Sequence, residues 1–90
     1  MYEAEVRVSN YLGLHARAAG QLVRLAAGFS SRVRIKRKDG TAEADARSML
    51  SLLALGAARN TKLVINAEGP DAEDAISEIV KLFESGFGEN

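Results

Sequence analysis

The sequence predicts an α+β fold in which a four-stranded antiparallel sheet carries three helices on one face. Three short segments alternate between apolar and polar residues with period two, which is typical of strands with one buried face, and a hairpin turn signal adds a fourth, weakly apolar strand. Two longer segments place apolar residues at helical spacing, and a shorter apolar segment between them reads as a third helix. The element order is β-α-β-β-α-β-α, and packing the helices on one sheet face buries every apolar stripe.

The first strand is predicted over residues 2–8, where apolar residues alternate with charged ones. Residues 9–13 read as a loop, and the period changes to that of a helix from His15. Gly28 is a suitable end for this helix. Its predicted apolar stripe consists of Ala19, Leu22, Val23, Ala26 and Ala27.

The middle of the chain predicts a hairpin followed by a short helix. Residues 32–38 alternate as a strand, Asp39 and Gly40 are a strong turn signal, and residues 41–44 form a short returning strand. The second helix is predicted over residues 46–55 and closes at Gly56.

The last third predicts a strand, a helix and a polar tail. Residues 63–67 alternate as the fourth strand, and Gly69 and Pro70 end it. Asp71 is a good N-cap candidate because its carboxylate can accept hydrogen bonds from the first free N–H groups of a helix. Residues 72–83 carry the cleanest amphipathic pattern, and residues 85–90 read as a polar, glycine-containing tail.

Length and composition restrict the function. Ninety residues make a single domain, residues 1–90, with a small core and little room for a deep catalytic cavity. Cysteine is absent, which excludes thiol chemistry, and 12 basic residues balance 12 acidic ones. The N-terminal residues lack signal-peptide features, and no apolar run reaches the length of a membrane span. We therefore expect a cytoplasmic monomer with no cofactor, no metal, no membrane association and no nucleic-acid partner.

The single histidine, His15, stands where a loop leads into a helix. Free N–H groups and the helix dipole make such a position favourable for anions, phosphate above all. Arg17 can add a planar cationic fork, and a neutral imidazole is a good nucleophile near neutral pH. We expect the positive surroundings to favour the neutral ring. In the alternative interpretation, His15 only caps the helix and Arg17 is a solvated surface charge.

The segment Gly13-Leu14-His15-Ala16-Arg17-Ala18-Ala19 resembles the active-site signature of the HPr family of phosphocarrier proteins. The similarity extends over nearly the whole chain. Comparable residues include Gln21-Leu22-Val23, Gly28-Phe29, Arg47-Ser48-Met49, Leu55-Gly56 and Ala67-Glu68-Gly69-Pro70. Two further stretches, Gly40-Thr41-Ala42-Glu43-Ala44 and Leu82 to Phe87, resemble the nitrogen-related NPr branch. The resemblance implies the HPr-like open-faced β-sandwich.

The resemblance also implies a mechanism. Enzyme I, charged by phosphoenolpyruvate, would phosphorylate His15 on Nδ1, and the group would pass to an enzyme IIA domain. Arg17 would neutralise the phosphoryl group, and the backbone N–H groups of Ala16, Arg17 and Ala18 would form its cradle. The protein would be a carrier rather than an enzyme. The family usually has proline where this chain has Ala18, so we expect altered transfer rates rather than lost function.

Ser48 matches the serine that a dedicated HPr kinase/phosphorylase modifies in some members of the family. A phosphate at this helix start would add negative charge to the docking surface. Alternatively, Ser48 only caps the helix or faces water. Matching to the family turns Leu52 and Leu55 inward and leaves Met49, Leu50 and Leu53 as an exposed apolar patch beside His15. Alternatively, all five residues are core. The expected docking residues are Gly20, Arg24, Arg47, Met49, Leu50 and Leu53.

Other functions have weaker support. The basic cluster of residues 32–38 is compatible with nucleic-acid binding, but no exposed aromatic residues for base stacking accompany it. Asp71, Glu73 and Asp74 suit a first helical turn better than a metal site. Three hypotheses remain: a phosphocarrier, a non-transferring regulatory relative controlled through Ser48, and a nucleic-acid-binding domain. The sequence does not separate a sugar-uptake relay from a nitrogen-related one.

Overall fold

A computed structural model describes residues 1–89 and confirms the α+β class and the order of the elements. The four strands are β1 (Tyr2–Arg7), β2 (Arg32–Arg37), β3 (Glu43–Asp45) and β4 (Lys62–Glu68). The helices are α1 (Ala16–Ala27), α2 (Met49–Ala54) and α3 (Ala72–Glu84), followed by a 3-10 turn, Gly86–Gly88. The strands form one antiparallel sheet in the order β1-β4-β2-β3.

The register of the sheet separates an apolar face from a polar one. Ile65 at the centre of β4 lies opposite Ala4 of β1 and Ile35 of β2. Its neighbour Asn66 lies opposite Glu3 and Arg34, on the other face. The helices cover the apolar face, as predicted. The largest fully buried apolar side chains are Phe83, Leu22, Ile35, Leu52, Leu63, Ile65, Ile79 and Val8.

Helix α1 begins and ends close to its predicted bounds, but its buried stripe is shifted by one position. Ala18 is fully buried, whereas Ala27 is exposed and Val23 is only half-buried. The stripe is centred between Ala19 and Leu22, and Ala27 falls outside the arc that faces the sheet.

The predicted turn at Asp39 and Gly40 is present. The Gly40 N–H donates to the Arg37 carbonyl at 2.9 Å, and Gly40 has a φ of +80°. The Asp39 carboxylate accepts from the N–H and the hydroxyl of Thr41, so β3 begins later than predicted, at Glu43.

Helix α2 is shorter than predicted because residues 46–48 are not helical. The Ala46 N–H donates to the Val33 carbonyl at 3.0 Å, which extends the pairing with β2 by one residue. Ser48 has an extended backbone, and its hydroxyl accepts from the Ser51 N–H. The helix therefore begins at Met49. Leu52 and Leu55 point into the core, as expected.

Asp71 precedes α3 as expected, but its side chain does not cap that helix. Its carboxylate instead accepts hydrogen bonds from the N–H groups of Ser30 and Ser31 and from the Ser31 hydroxyl. The Ser31 hydroxyl in turn accepts from the Asp71 N–H at 3.1 Å. Asp71 thus joins the start of α3 to the start of β2, because tertiary packing offers it nearer donors than its own helix does.

The predicted polar tail contains the 3-10 turn Gly86–Gly88, which packs against the core. Phe87 is buried, and its ring packs edge-on against Phe83 with a centroid separation of 5.0 Å. Asn90 lies outside the described residues. Within residues 1–89, no helix combines the length and the apolar character that a membrane crossing requires.

Candidate functional site

The loop before α1 is shaped by Gly13. Its φ of +69° suits glycine, and a Cβ atom there would lie 2.6 Å from the Ala57 carbonyl oxygen. Beside it, the Leu14 N–H donates to the same carbonyl at 2.9 Å. The loop is therefore held against the segment that follows α2, and the next residue, His15, is aimed across the start of α1.

His15 is the N-cap of α1. Its backbone is extended, its carbonyl accepts the first helical hydrogen bond from Ala19, and its Nδ1 accepts from the Arg17 N–H at 3.3 Å. The N–H groups of Ala16 and Ala18 precede that first bond and have no partner within the helix. The His15 side chain is 26% exposed. The predicted nucleophile and the predicted donors are thus grouped at one helix start.

The backbone at Ala18 is helical, as expected for a residue that replaces proline without breaking the helix. Its methyl group is fully buried in the core. Ala18 therefore contributes to the packing of α1 against the core.

Glu89 is the site residue that the sequence analysis missed. Its Oε2 lies 2.5 Å from His15 Nε2, and its Oε1 accepts from Asn10 Nδ2 at 3.1 Å. Asn10 is fully buried, and its amide also donates to the Gly13 carbonyl at 2.7 Å. The signal in the sequence was Phe87, an aromatic residue between two glycines, which indicates a tail that folds back onto the core.

This carboxylate changes the expected electrostatics of the site. The hydrogen bond from His15, followed by that from Asn10, lowers the pKa of Glu89 below its ordinary value. The positive charge of Arg17 acts in the same direction more weakly. The imidazole therefore lies between a carboxylate on the Nε2 side and helix N–H donors on the Nδ1 side, not in purely positive surroundings.

Apolar side chains surround the histidine. Leu12, His15 and Leu53 line one shallow depression, and Tyr11, Leu12, Arg17 and Glu89 line the next one. The exposed fractions are 77% for Tyr11, 64% for Leu12, 81% for Leu50 and 40% for Leu53. Leu50 and Leu53 are thus exposed on α2 as expected, and Leu53 lies beside His15 together with the loop residue Leu12. Met49 is half-buried against the core instead of being an exposed patch member.

The remaining docking candidates differ in their surroundings. Gly20 is half-buried, and a Cβ atom there would lie 3.5 Å from the guanidinium of exposed Arg24. The Arg47 guanidinium donates to the Phe29 carbonyl at 2.5 Å and is thereby held against the loop after α1. Arg47 thus lies by the C-terminal end of α1, whereas His15 is at its N-terminus.

Ser48 occupies the N-cap of α2 and is half-buried. Its hydroxyl accepts from the Ser51 N–H at 3.3 Å and lies 3.0 Å from the Ser51 hydroxyl. The capping role considered for it is present.

The open face of the sheet carries both signs of charge. Arg34 pairs with Glu43 at 3.1 Å, and Lys38 pairs with Glu5 at 2.8 Å. The basic residues of β2 therefore do not form a uniformly positive surface. In the described part of the chain, no three His, Cys, Asp or Glu side chains are grouped so as to hold a metal ion.

The chain is similar to known phosphocarrier proteins. A family model described as the PTS HPr component phosphorylation site matches residues 2–85. Phosphocarrier protein NPr of Escherichia coli K12 is 40% identical over 85 residues, which cover 94% of this chain and 93% of that protein. Phosphocarrier protein HPr of Cupriavidus necator is 33% identical over 89 residues, which cover 99% of this chain and 98% of that protein.

The fold is shared as well. The crystal structure of HPr-C-His from Thermoanaerobacter tengcongensis superimposes with a TM-score of 0.93 at 36% identity, covering 100% of this chain and 99% of that chain. The predicted HPr-like sandwich is thereby confirmed. The chain belongs to the HPr family of phosphotransferase-system phosphocarrier proteins.

Proposed function

We propose that the protein accepts a phosphoryl group on His15 Nδ1 from Enzyme I and passes it to an enzyme IIA domain. The observation that carries this proposal is the position of Nδ1 at the start of α1. Nδ1 accepts a hydrogen bond from the Arg17 N–H, so its lone pair lies among helix N–H donors. These donors and the helix dipole favour an incoming phosphoryl group.

The transfer uses groups that are already in place. The Nδ1 lone pair attacks phosphorus while the bond from phosphorus to the donor's leaving atom breaks, and no proton has to leave Nδ1. The N–H of Arg17 is released from Nδ1 and can donate to a phosphoryl oxygen, together with the N–H groups of Ala16 and Ala18. The exposed Arg17 guanidinium neutralises the charge of the group.

The apolar rim of the His15 depression, formed by Leu12 and Leu53, supports the role of a carrier that needs a partner. A shallow depression holds no substrate by itself, so the second half of each transfer site must come from another protein. Leu12 and Leu53 line the His15 depression and are exposed, and burying them against a partner would exclude water from the phosphoryl group.

The test is incubation with Enzyme I and phosphoenolpyruvate, followed by intact-mass analysis. We expect a single acid-labile phosphoryl adduct, and phosphorus NMR should assign it to Nδ1. Adding an enzyme IIA domain should then discharge the adduct. Because the chain has only one histidine, a phosphohistidine adduct has one possible location.

The matched control is His15→Asn. Asparagine is a strong N-cap residue, so this variant keeps the start of α1 while it removes the nucleophile. An adduct on His15→Asn, or no adduct on the wild-type protein with Enzyme I of the same organism, would contradict the proposal.

A second candidate function is regulation through Ser48. Its hydroxyl is half-buried at a helix N-cap beside the apolar rim of α2, so an HPr kinase/phosphorylase would place negative charge next to Leu50 and Leu53. Under this alternative the protein binds partners without transferring phosphoryl groups. Ser48→Asp should weaken Enzyme I binding, whereas Ser48→Asn, which keeps a cap, should leave it unchanged.

A further inference from the structure

The C-terminal segment is held in a defined position beside the active site. Gly86, Phe87 and Gly88 all have positive φ angles, of 62°, 57° and 74°, so the chain reverses sharply after α3. The Phe87 side chain is buried against Phe83, and the Phe87 carbonyl accepts from Gln21 Nε2 at 3.3 Å. Phe87 thus docks the segment on the core and on α1.

Both oxygens of the Glu89 carboxylate are used within this arrangement. Oε2 contacts His15 Nε2, and Oε1 accepts from the buried Asn10 amide. The Glu89 side chain is only 13% exposed. Its orientation is therefore determined from two sides, by a buried amide and by the imidazole.

The contacts at the two ring nitrogens define one tautomer of neutral His15. Nδ1 faces the Arg17 N–H, which can only donate, so Nδ1 must be the acceptor. The ring proton is then on Nε2, where the Glu89 carboxylate accepts it. This tautomer leaves the Nδ1 lone pair available for reaction.

We propose that Glu89 is a positioning residue, which orients the His15 ring with Nε2 protonated and stabilises the positive charge that the ring gains when Nδ1 is phosphorylated. The inference rests on the proposed role of His15 as phosphoryl acceptor. Phosphorylation uses the Nδ1 lone pair and makes the ring cationic as long as Nε2 keeps its proton. A carboxylate at 2.5 Å from Nε2 therefore stabilises the cationic, phosphorylated ring more than the neutral, unphosphorylated ring.

The test compares Glu89→Gln with wild type in steady-state phosphorylation by Enzyme I. Glutamine keeps the size and an acceptor oxygen but removes the charge. We expect kcat to fall about tenfold, at the low end of the range for groups that orient a functional histidine, with KM unchanged. Nitrogen NMR of the His15 ring should show changed Nε2 and Nδ1 shifts. Glu84→Gln, which neutralises an exposed carboxylate at the end of α3, should change neither quantity.

Phe87→Ala supplies an independent variant, because it releases the docked segment without altering the carboxylate. It should reproduce the fall in kcat and the altered ring shifts. An unchanged or increased kcat in Glu89→Gln would overturn the inference, and an increase would show instead that the carboxylate repels the incoming group. Absence of any adduct on the wild-type protein would overturn the proposed function and this inference together, so the two failures are distinguishable.

Discussion

His15 Nε2 and Glu89 Oε2 lie 2.5 Å apart although 74 positions separate the two residues in the chain. The imidazole belongs to the helix start after β1, and the carboxylate follows the last turn of the chain. The candidate site is therefore assembled from both ends of the sequence. Its geometry depends on the docking of Phe87 as well as on the local signature around His15.

The glycine at position 13 should be irreplaceable. Gly13→Ala combines a positive φ with a Cβ atom 2.6 Å from the Ala57 carbonyl oxygen, so unfolding free energy should fall by about 3 kcal/mol or more. Phosphorylation by Enzyme I should slow at the same time, because Leu14 and His15 must shift. Urea denaturation and a phosphorylation assay measure the two effects.

Gly40→Ala is the matched control for this variant. Gly40 also has a positive φ, of +80°, but no atom lies within 4 Å of an added Cβ. The substitution should lower the free energy of unfolding only by the backbone strain, about 1 kcal/mol, and leave phosphorylation unchanged. Equal losses in the two alanine variants would contradict the importance of the Ala57 contact.

Proline at position 18 should be tolerated. The Ala18 N–H precedes the first intrahelical hydrogen bond, so Ala18→Pro removes no bond within α1. We expect its Tm to stay within about 5 °C of wild type, equivalent to roughly 1 kcal/mol. Phosphorylation should be retained at a lower rate, because proline removes the Ala18 N–H from the proposed cradle.

Ala19→Pro is the comparison. Ala19 is just as buried, but its N–H donates to the His15 carbonyl at 2.8 Å. Losing that bond should destabilise the protein by about 3 kcal/mol. Thermal unfolding followed by circular dichroism separates the two variants, and a Tm loss for Ala18→Pro as large as that for Ala19→Pro would reject the assigned helix start.

The exposed leucines of α2 should affect partner binding and not folding. Leu53→Gln and Leu50→Gln preserve helix propensity, and the two side chains are 40% and 81% exposed. Each substitution should raise the KM for Enzyme I about tenfold, as loss of an apolar contact in an interface does, while Tm changes little. Tyr2→Gln, at a 47% exposed apolar residue of β1, should leave KM unchanged. An unchanged KM in both leucine variants would place the docking surface elsewhere.

Asp71 should make stability depend on pH. The Ser31 hydroxyl, followed by the Ser30 N–H, lowers the pKa of Asp71 below its ordinary value of 3.8. A folded-state pKa below the unfolded one means that the unfolded chain binds more protons as the pH falls. The contribution of the Asp71 carboxylate to the free energy of unfolding is therefore present above pH 3.8 and is lost as the pH decreases through the folded-state pKa.

The corresponding variant is Asp71→Asn, followed by urea denaturation from neutral to acid pH. It should be less stable than wild type at neutral pH, and the difference should shrink as the pH falls below about 4. Asp74→Asn, at an exposed carboxylate in the first turn of α3, should have a smaller effect. A difference for Asp71→Asn that is the same at every pH would show that the carboxylate charge is not what stabilises this junction.

Local patterns determined much of the architecture. The period of the apolar residues identified β1, β2, β4, α1 and α3, since burying one face imposes a period of two on a strand and of 3.6 on a helix, and the Asp39-Gly40 turn signal identified β3. The signature around His15 predicted a candidate nucleophile, Arg17 and a helix start, and the helix start is confirmed. The separation of buried Leu52 from exposed Leu50 came from the resemblance to the family, because helix α2 holds too many apolar residues for spacing alone to decide.

Tertiary structure determined which hydrogen-bond partner each polar group has. Asp71 could have capped its own helix, but packing brought the N–H groups of Ser30 and Ser31 closer. Ala46 has high helix propensity, yet its N–H continues the ladder to β2. The tail is mostly polar in sequence, but Phe87 is buried in the core, and its burial brings Glu89 into contact with His15. Sequence periodicity reports which residues are buried, whereas a hydrogen bond between distant residues depends on where the complete fold places the donor and the acceptor.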